Sequence, residues 1–195
     1  MTRPVTPLPH PHLHRLGQTL AEVESGVDRL TDGLTDDQLG WAPEPGRWSI
    51  GQCLDHLTVV NRAYRLRIED ALERGPAAPA AEPARFRPRV VIRPFLRLMG
   101  QESGWRLPAP RLFRPPPAPA PGSVSRFFEE LHALRRLVVA ASGRDLVRTR
   151  LASSESRFPR LTLGEALTLL TVHCERHVLQ AWRVREHPEF PEEIA

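Results

Sequence analysis

Three histidines carry the most chemistry in this chain: His56 in WSIGQCLDHL, and His173 and His177 in VHCERHVLQAW. A spacing of four puts His173 and His177 one turn apart on a single helical face. Two imidazoles from one helix and one from another make a three-nitrogen set for a metal ion. Such a set leaves a coordination position open, which suits catalysis better than a purely structural role. Three imidazoles accept zinc, nickel, copper or iron, so the residues alone leave the metal open. The alternative is three core histidines hydrogen-bonded to ordinary neighbours. No H-E-x-x-H run accompanies them, so a zinc-protease helix is not indicated.

The elements that must position these residues are amphipathic helices. In the first, over 12–30, Leu13, Leu16, Leu20, Val23, Val27 and Leu30 step by three and four. A short helical turn is expected in LTDDQL with Thr35 as its cap. A second long helix starts at a capping box of Ser49 and Gln52, with Trp48 placed as a staple onto Cys53. Its stripe is Cys53, Leu57, Val60, Tyr64, Ile68 and Leu72, and it ends near Gly75. A third, over 123–142, turns Val124, Phe127, Phe128, Leu131, Leu134 and Val138 inward. A fourth opens on a second capping box, Thr162 and Glu165, and carries the stripe Leu163, Ala166, Leu170, His173, His177, Ala181 and Val184. His173 and His177 thus occupy seam positions, where an imidazole loses its hydration and needs a partner. No convincing strand is present. The expected fold is all-α, a four-helix bundle over residues 12–187, with residues 1–11 proline-rich and poorly ordered.

Depth along the helices constrains topology. His56 lies about two turns from the start of the second long helix, and His173 and His177 about two to three turns from the end of the fourth, at roughly 1.5 Å per residue. The three come level only if those helices are antiparallel, which makes the second and third parallel and joined by a crossover. The long connection at 76–121 is ample for that. It is rich in proline and holds Arg85, Arg87, Arg89, Arg93, Arg97, Arg106, Arg111 and Arg114 against Glu82 and Glu102. A helical piece is expected within VVIRPFLRLMG, limited by Pro94.

Composition narrows the function classes. All 27 basic residues are arginine, and the formal net charge is +4. Nucleic acid is not an expected partner, because the arginines lack the interleaved aromatics of a stacking platform; Phe86, Phe95, Trp105 and Phe113 are scattered among prolines. No apolar run approaches the roughly 18 residues that span a bilayer. MTRPVTPLPHPHLHRL lacks the apolar stretch of a secretory signal, and two cysteines, Cys53 and Cys174, do not make a disulfide framework. A reducing cytoplasm is the expected compartment. Both thiols are expected as small buried apolar groups. His10, His12 and His14 alternate in the N-terminal stretch and read as part of a flexible terminus. His132 reads as a boundary residue, and His187, before Pro188, as serving a helix C-terminus. Asp55 and Glu175 adjoin the histidines but point to other helix faces, so no general base is assigned. Gln180 is placed at the rim of the pocket.

Three segments resemble the DinB/YfiT-like superfamily: LTDDQLGWAPEPGRWSIGQCLDHL (34–57), LFRPPPAPAPGSVSRFFEEL (112–131) and LTLGEALTLLTVHCERHVLQAWRV (161–184). The first and last are the specific parts, a W-S-I helix start leading to His56 and an H-x-x-x-H followed by Gln180. The similarity covers most of residues 10–186. It implies a four-helix bundle with His56, His173 and His177 as ligands of a divalent metal, zinc or nickel, and a homodimer. Some relatives resemble thiol-dependent transferases and others hydrolases, so a low-molecular-weight thiol is an implied cofactor. The proline-rich insert at 76–121 exceeds what a plain bundle needs, so no relative's substrate is carried over.

Two functional readings follow. In the first, the chain is a metal-dependent transferase or hydrolase acting on a small molecule, with the arginine-rich segment closing over the site to hold a carboxylate. In the second, it is a non-catalytic metal or small-ligand binder linked to stress, consistent with the lack of an assignable base.

Overall fold

The structure is a computed structural model, which describes residues 8–78, 86–100, 109–151 and 160–191. These residues are helical, with no strand among them. The helices are α1 (Pro11–Thr31), α2 (Asp36–Gly40), α3 (Ile50–Arg74), α4 (Arg93–Met99), α5 (Ser123–Ala140) and α6 (Leu163–Arg185). Short 3-10 turns lie at Arg111–Phe113 and Ala141–Gly143.

The starts of these helices follow from local chemistry. Thr35, Ser49 and Thr162 each accept from the backbone N–H three residues on, and Gln38, Gln52 and Glu165 return a bond to the cap backbone. Each such cap contributes about 1 kcal/mol. In α4, Pro94 sits in the first turn, where a missing N–H costs nothing, so it shapes the helix rather than breaking it. Order reaches further toward the N-terminus than the expected boundary at residue 11. Leu8 packs on the core, and His10 caps α1 by accepting from the His12 N–H at 3.1 Å. The rest of the proline-rich start lies outside the described residues.

Four long helices, α1, α3, α5 and α6, share one core. α3 packs on α5 and α6, and α1 packs on the other side of the same two. Every residue of the α1 stripe is buried, and so is every residue of the α6 stripe, His173 and His177 included. In α5, Phe127, Leu131, Leu134 and Val138 are buried. Each fully buried leucine or phenylalanine contributes about 1.5–3 kcal/mol.

The helix ends define direction. Just past α3 and α5, Ala78 N–H donates to Gly143 O and Asp145 N–H to Pro76 O, each at 3.0 Å, so these helices finish together. α6 starts at that same end: Leu163 N–H donates to Thr149 O at 2.8 Å and Gly164 N–H to Leu146 O at 3.0 Å. α3 and α5 are therefore parallel, and α6 opposes both. α1 runs with α6, since His12 meets Thr168 at their starts and Arg185 meets Leu30 O at their ends.

Part of the connection between α3 and α5 is strapped along α6. The Phe86 ring lies so close to Gly164 that a Cβ there would stand 2.3 Å from it. Arg89 pairs with Glu165 at 2.7 Å, and its backbone N–H donates to the same carboxylate at 2.9 Å. Burial raises the Glu165 pKa, but the hydrogen bonds from Arg89 and Thr162 outweigh it and hold the carboxyl below its usual value. That stabilisation is present above the ordinary carboxylate range and is lost as pH falls through the depressed value. Replacing Glu165 by Ala removes a cap and the partner of Arg89 together. The expected loss is about 2–3 kcal/mol in urea unfolding, with Glu165→Gln, which keeps a cap acceptor, losing less.

Candidate metal centre

Because α3 and α6 run in opposite directions, the seventh residue of α3 comes level with the middle of α6. His56, His173 and His177 meet there. All three are buried, and one ring nitrogen from each lies within 4.8 Å of the others, a group able to hold a metal ion. Ring centroids are 5.0 Å apart for His56 and His173, 4.6 Å for His56 and His177, and 4.5 Å for His173 and His177. Among the described residues no cysteine or carboxylate joins the group.

Hydrogen bonds orient the rings. His56 Nδ1 stands 2.6 Å from the Phe113 carbonyl oxygen. A carbonyl only accepts, so Nδ1 carries the hydrogen and Nε2 of the neutral ring is a lone pair. His177 Nδ1 lies 3.0 Å from Gln180 Oε1 and donates in the same way, which leaves its own Nε2 as the lone pair. Partners of this kind behind a histidine ring are what hold a metal-ligating imidazole in orientation and tautomer. His56 Nε2 and His173 Nε2 are 3.3 Å apart. Two nitrogens bound at about 2.0–2.1 Å in a tetrahedral site stand about that far from each other. Without a metal, one hydrogen on His173 joins only that pair, and its buried Nδ1 has no partner among the described residues. A cation satisfies the lone pairs of three rings at once, and the donor set fits a borderline divalent ion.

The electrostatics keep the rings in their ligating form. Burial lowers the His173 pKa to about 3, helped by His56 and Arg176. Burial likewise lowers His56, against the Phe113 hydrogen bond, and puts His177 well below its ordinary value. Neutral imidazoles at neutral pH are ready ligands. Trp48, at the staple position before α3, lays its indole 4.8 Å from the His56 ring and 5.6 Å from that of His177, closing one side of the group.

The other candidates fall elsewhere. His12 is buried against Phe86 and bonded to Thr168 Oγ1 at 2.9 Å, and burial lowers its pKa to about 4. Together with the cap at His10, this replaces the flexible terminus expected for that cluster. His132 is a surface residue bonded to Glu24, and His187 accepts from the Glu189 N–H past the end of α6. Cys53 and Cys174 are buried thiols, and burial raises both, Cys174 to about 12. Asp55 is committed to Arg126 and to the Ala120 N–H. Of the arginines expected to close over the site, Arg89 is held at the start of α6, and Arg87, Arg93, Arg97, Arg111 and Arg114 are exposed. Arg85 and Arg106 lie outside the described residues. The connection reaches the site through the backbone of Phe113. No side-chain pattern marks which backbone carbonyl will accept from an imidazole, so this contact has no signal in the sequence.

Residues 19–181 match the DinB superfamily. The chain belongs to that superfamily. Its members include metal-binding proteins, and in this DinB chain the matched span contains all three histidines. No curated protein matches the chain. No helix of the described residues is long and apolar enough to cross a membrane.

Acid should destabilise the metal-free DinB chain through these rings. Their folded pKa values lie below the unfolded value near 6.5, so the unfolded chain binds more protons. Stability of chelator-treated protein should therefore fall from about pH 6.5 downward, toward the His173 value of about 3. His173→Leu should flatten that dependence in urea midpoints measured at successive pH values.

Proposed function

We propose that this DinB protein is a metal-dependent enzyme whose His56, His173 and His177 hold one divalent ion, zinc or nickel, through their Nε2 atoms. The proposed frame is a four-helix bundle over residues 12–187, with the long proline- and arginine-rich connection crossing between α3 and α5. The observation that carries the reading is the convergence of three buried neutral imidazoles. Two of them have their Nδ1 hydrogens committed, to Phe113 O and to Gln180.

The reaction class we favour is transfer or hydrolysis on a small molecule, with a low-molecular-weight thiol as the companion in the transferase form. A bound divalent ion supplies Lewis acidity, which eases loss of a proton from a water or thiol brought to it. The chain's own residues do the positioning. Phe113 and Gln180 aim two rings, burial keeps all three neutral, and Trp48 shields one side of the group from water. The family resemblance further supports a homodimer, and two unpaired buried thiols suit a reducing cytoplasm.

One observation favours a second reading, a non-catalytic metal or small-ligand binder. The group contains no carboxylate among the described residues, and Asp55 is occupied by Arg126 and Ala120. Turnover of thiol and electrophile pairs by metal-loaded protein separates the two.

The metal assignment has a direct test. Elemental analysis of purified protein should find about one divalent ion per chain, and His173→Ala should abolish stoichiometric binding. Equal metal content in the variant would remove the site.

A further inference from the structure

Beyond the three histidines, the start of α3 grips the connection. Gln52, Asp55 and His56 are spaced i, i+3 and i+4, so Asp55 and His56, although on different faces, both neighbour Gln52 on the helix surface. Each holds a different point of the proline-rich segment 113–120. Gln52 Nε2 donates to the carbonyls of Pro116 at 3.0 Å and Pro117 at 2.9 Å. Asp55 Oδ2 accepts from the Ala120 N–H at 2.8 Å, while its Oδ1 accepts from Arg126 of α5 at 2.9 Å. Arg126 in turn donates to the carbonyls of Ala120 and Pro121. His56 Nδ1 meets the Phe113 carbonyl. Gly51 lets the segment lie against the helix: a Cβ there would stand 2.6 Å from the Pro119 side chain and 3.1 Å from the Leu39 carbonyl.

This arrangement is more than a tether. Prolines 115, 116, 117, 119 and 121 fix φ along the segment, so a restraint at its far end is transmitted to Phe113 with little slack. The Asp55 side chain is only 5% exposed, although it adjoins His56 and joins no metal-binding group among the described residues. Its carboxylate is spent on the strap.

We propose that Asp55 and Gln52 are positioning residues for His56, acting through the segment 113–120 so that the Phe113 carbonyl fixes the imidazole with Nε2 directed at the metal. The inference rests on the metal-centre reading for its purpose, but the tautomer it predicts exists without metal.

The test uses the full chain and two readouts. In chelator-treated protein at pH 8, imidazole nitrogen NMR should show His56 as the Nδ1–H form. Asp55→Ala should erode that preference while the His177 tautomer and far-UV circular dichroism stay unchanged. In competition with a chelating dye, zinc affinity should fall about 10–100-fold. Asp55→Asn, which retains an acceptor for the Ala120 N–H, should recover part of the loss.

Removal of a carboxylate near a cation weakens binding by charge alone, so Arg126→Gln decides. Loss of that positive charge should tighten zinc binding if only electrostatics matter, and should weaken it if the strap positions His56. It also serves if Asp55→Ala fails to fold. Gly51→Ala, which pushes Pro119 away, should reproduce the weakening without altering charge. Wild-type zinc affinity and an unchanged His56 tautomer in these variants would overturn the positioning role. Wild-type protein that binds neither zinc nor nickel removes the metal reading instead, and the tautomer measurement then decides the strap.

Discussion

Three imidazoles buried side by side in a helical seam set the terms for the rest of this protein. Each has lost hydration, and a core of leucine and valine offers nothing in return. Burial drives the rings to the neutral form, so charge repulsion is avoided, but neutral rings still present lone pairs to one another. The molecule answers with Phe113 O behind His56 and Gln180 behind His177, both of which accept the Nδ1 hydrogen. What remains is a set of inward nitrogens able to hold a metal ion. Nearby features then make sense together, from Trp48 across two rings to the absence of a competing thiol.

That requirement reaches into the topology. His56 is the seventh residue of α3, whereas His173 and His177 lie about the middle of α6, and their nitrogens meet with the two helices opposed. With α1 running beside α6, α3 and α5 are left parallel, and two parallel helices need a long return. The connection is therefore a geometric consequence of α3 and α5 ending together. It does not lie idle. Residues 86–100 lock onto α6 through Phe86, Arg89 and Glu165, and residues 113–120 lie along α3, with Phe113 at the site.

The arginines show how a composition signal misleads without the fold. Eight arginines in one connection suggest an anion-binding lid. In the structure, Arg89 is consumed by Glu165, which the local pattern explains completely as a capping residue, and the other described arginines of the connection are exposed. One residue serves two roles, and only the first leaves a trace in local spacing. The N-terminal histidines reverse the case. A proline-rich start looked unstructured, but His10 finds a backbone donor two residues on and His12 finds Thr168, a partner 156 residues away.

The sequence by itself determined the long helices, the caps at Thr35, Ser49 and Thr162, the inward stripes and the three histidines, because those depend on periodicity and on side-chain bonds spanning three or four residues. It also constrained direction, since residues that must meet cannot sit at opposite ends. Only the tertiary structure decided what stands behind each ring. The Phe113 carbonyl is 57 residues from His56 in the chain, and a backbone oxygen has the same chemistry at every position. Nothing in a residue's identity announces that its carbonyl will be turned toward an imidazole. The turn results from Gln52, Asp55 and Arg126 holding a run of prolines, which becomes visible once the helices are packed.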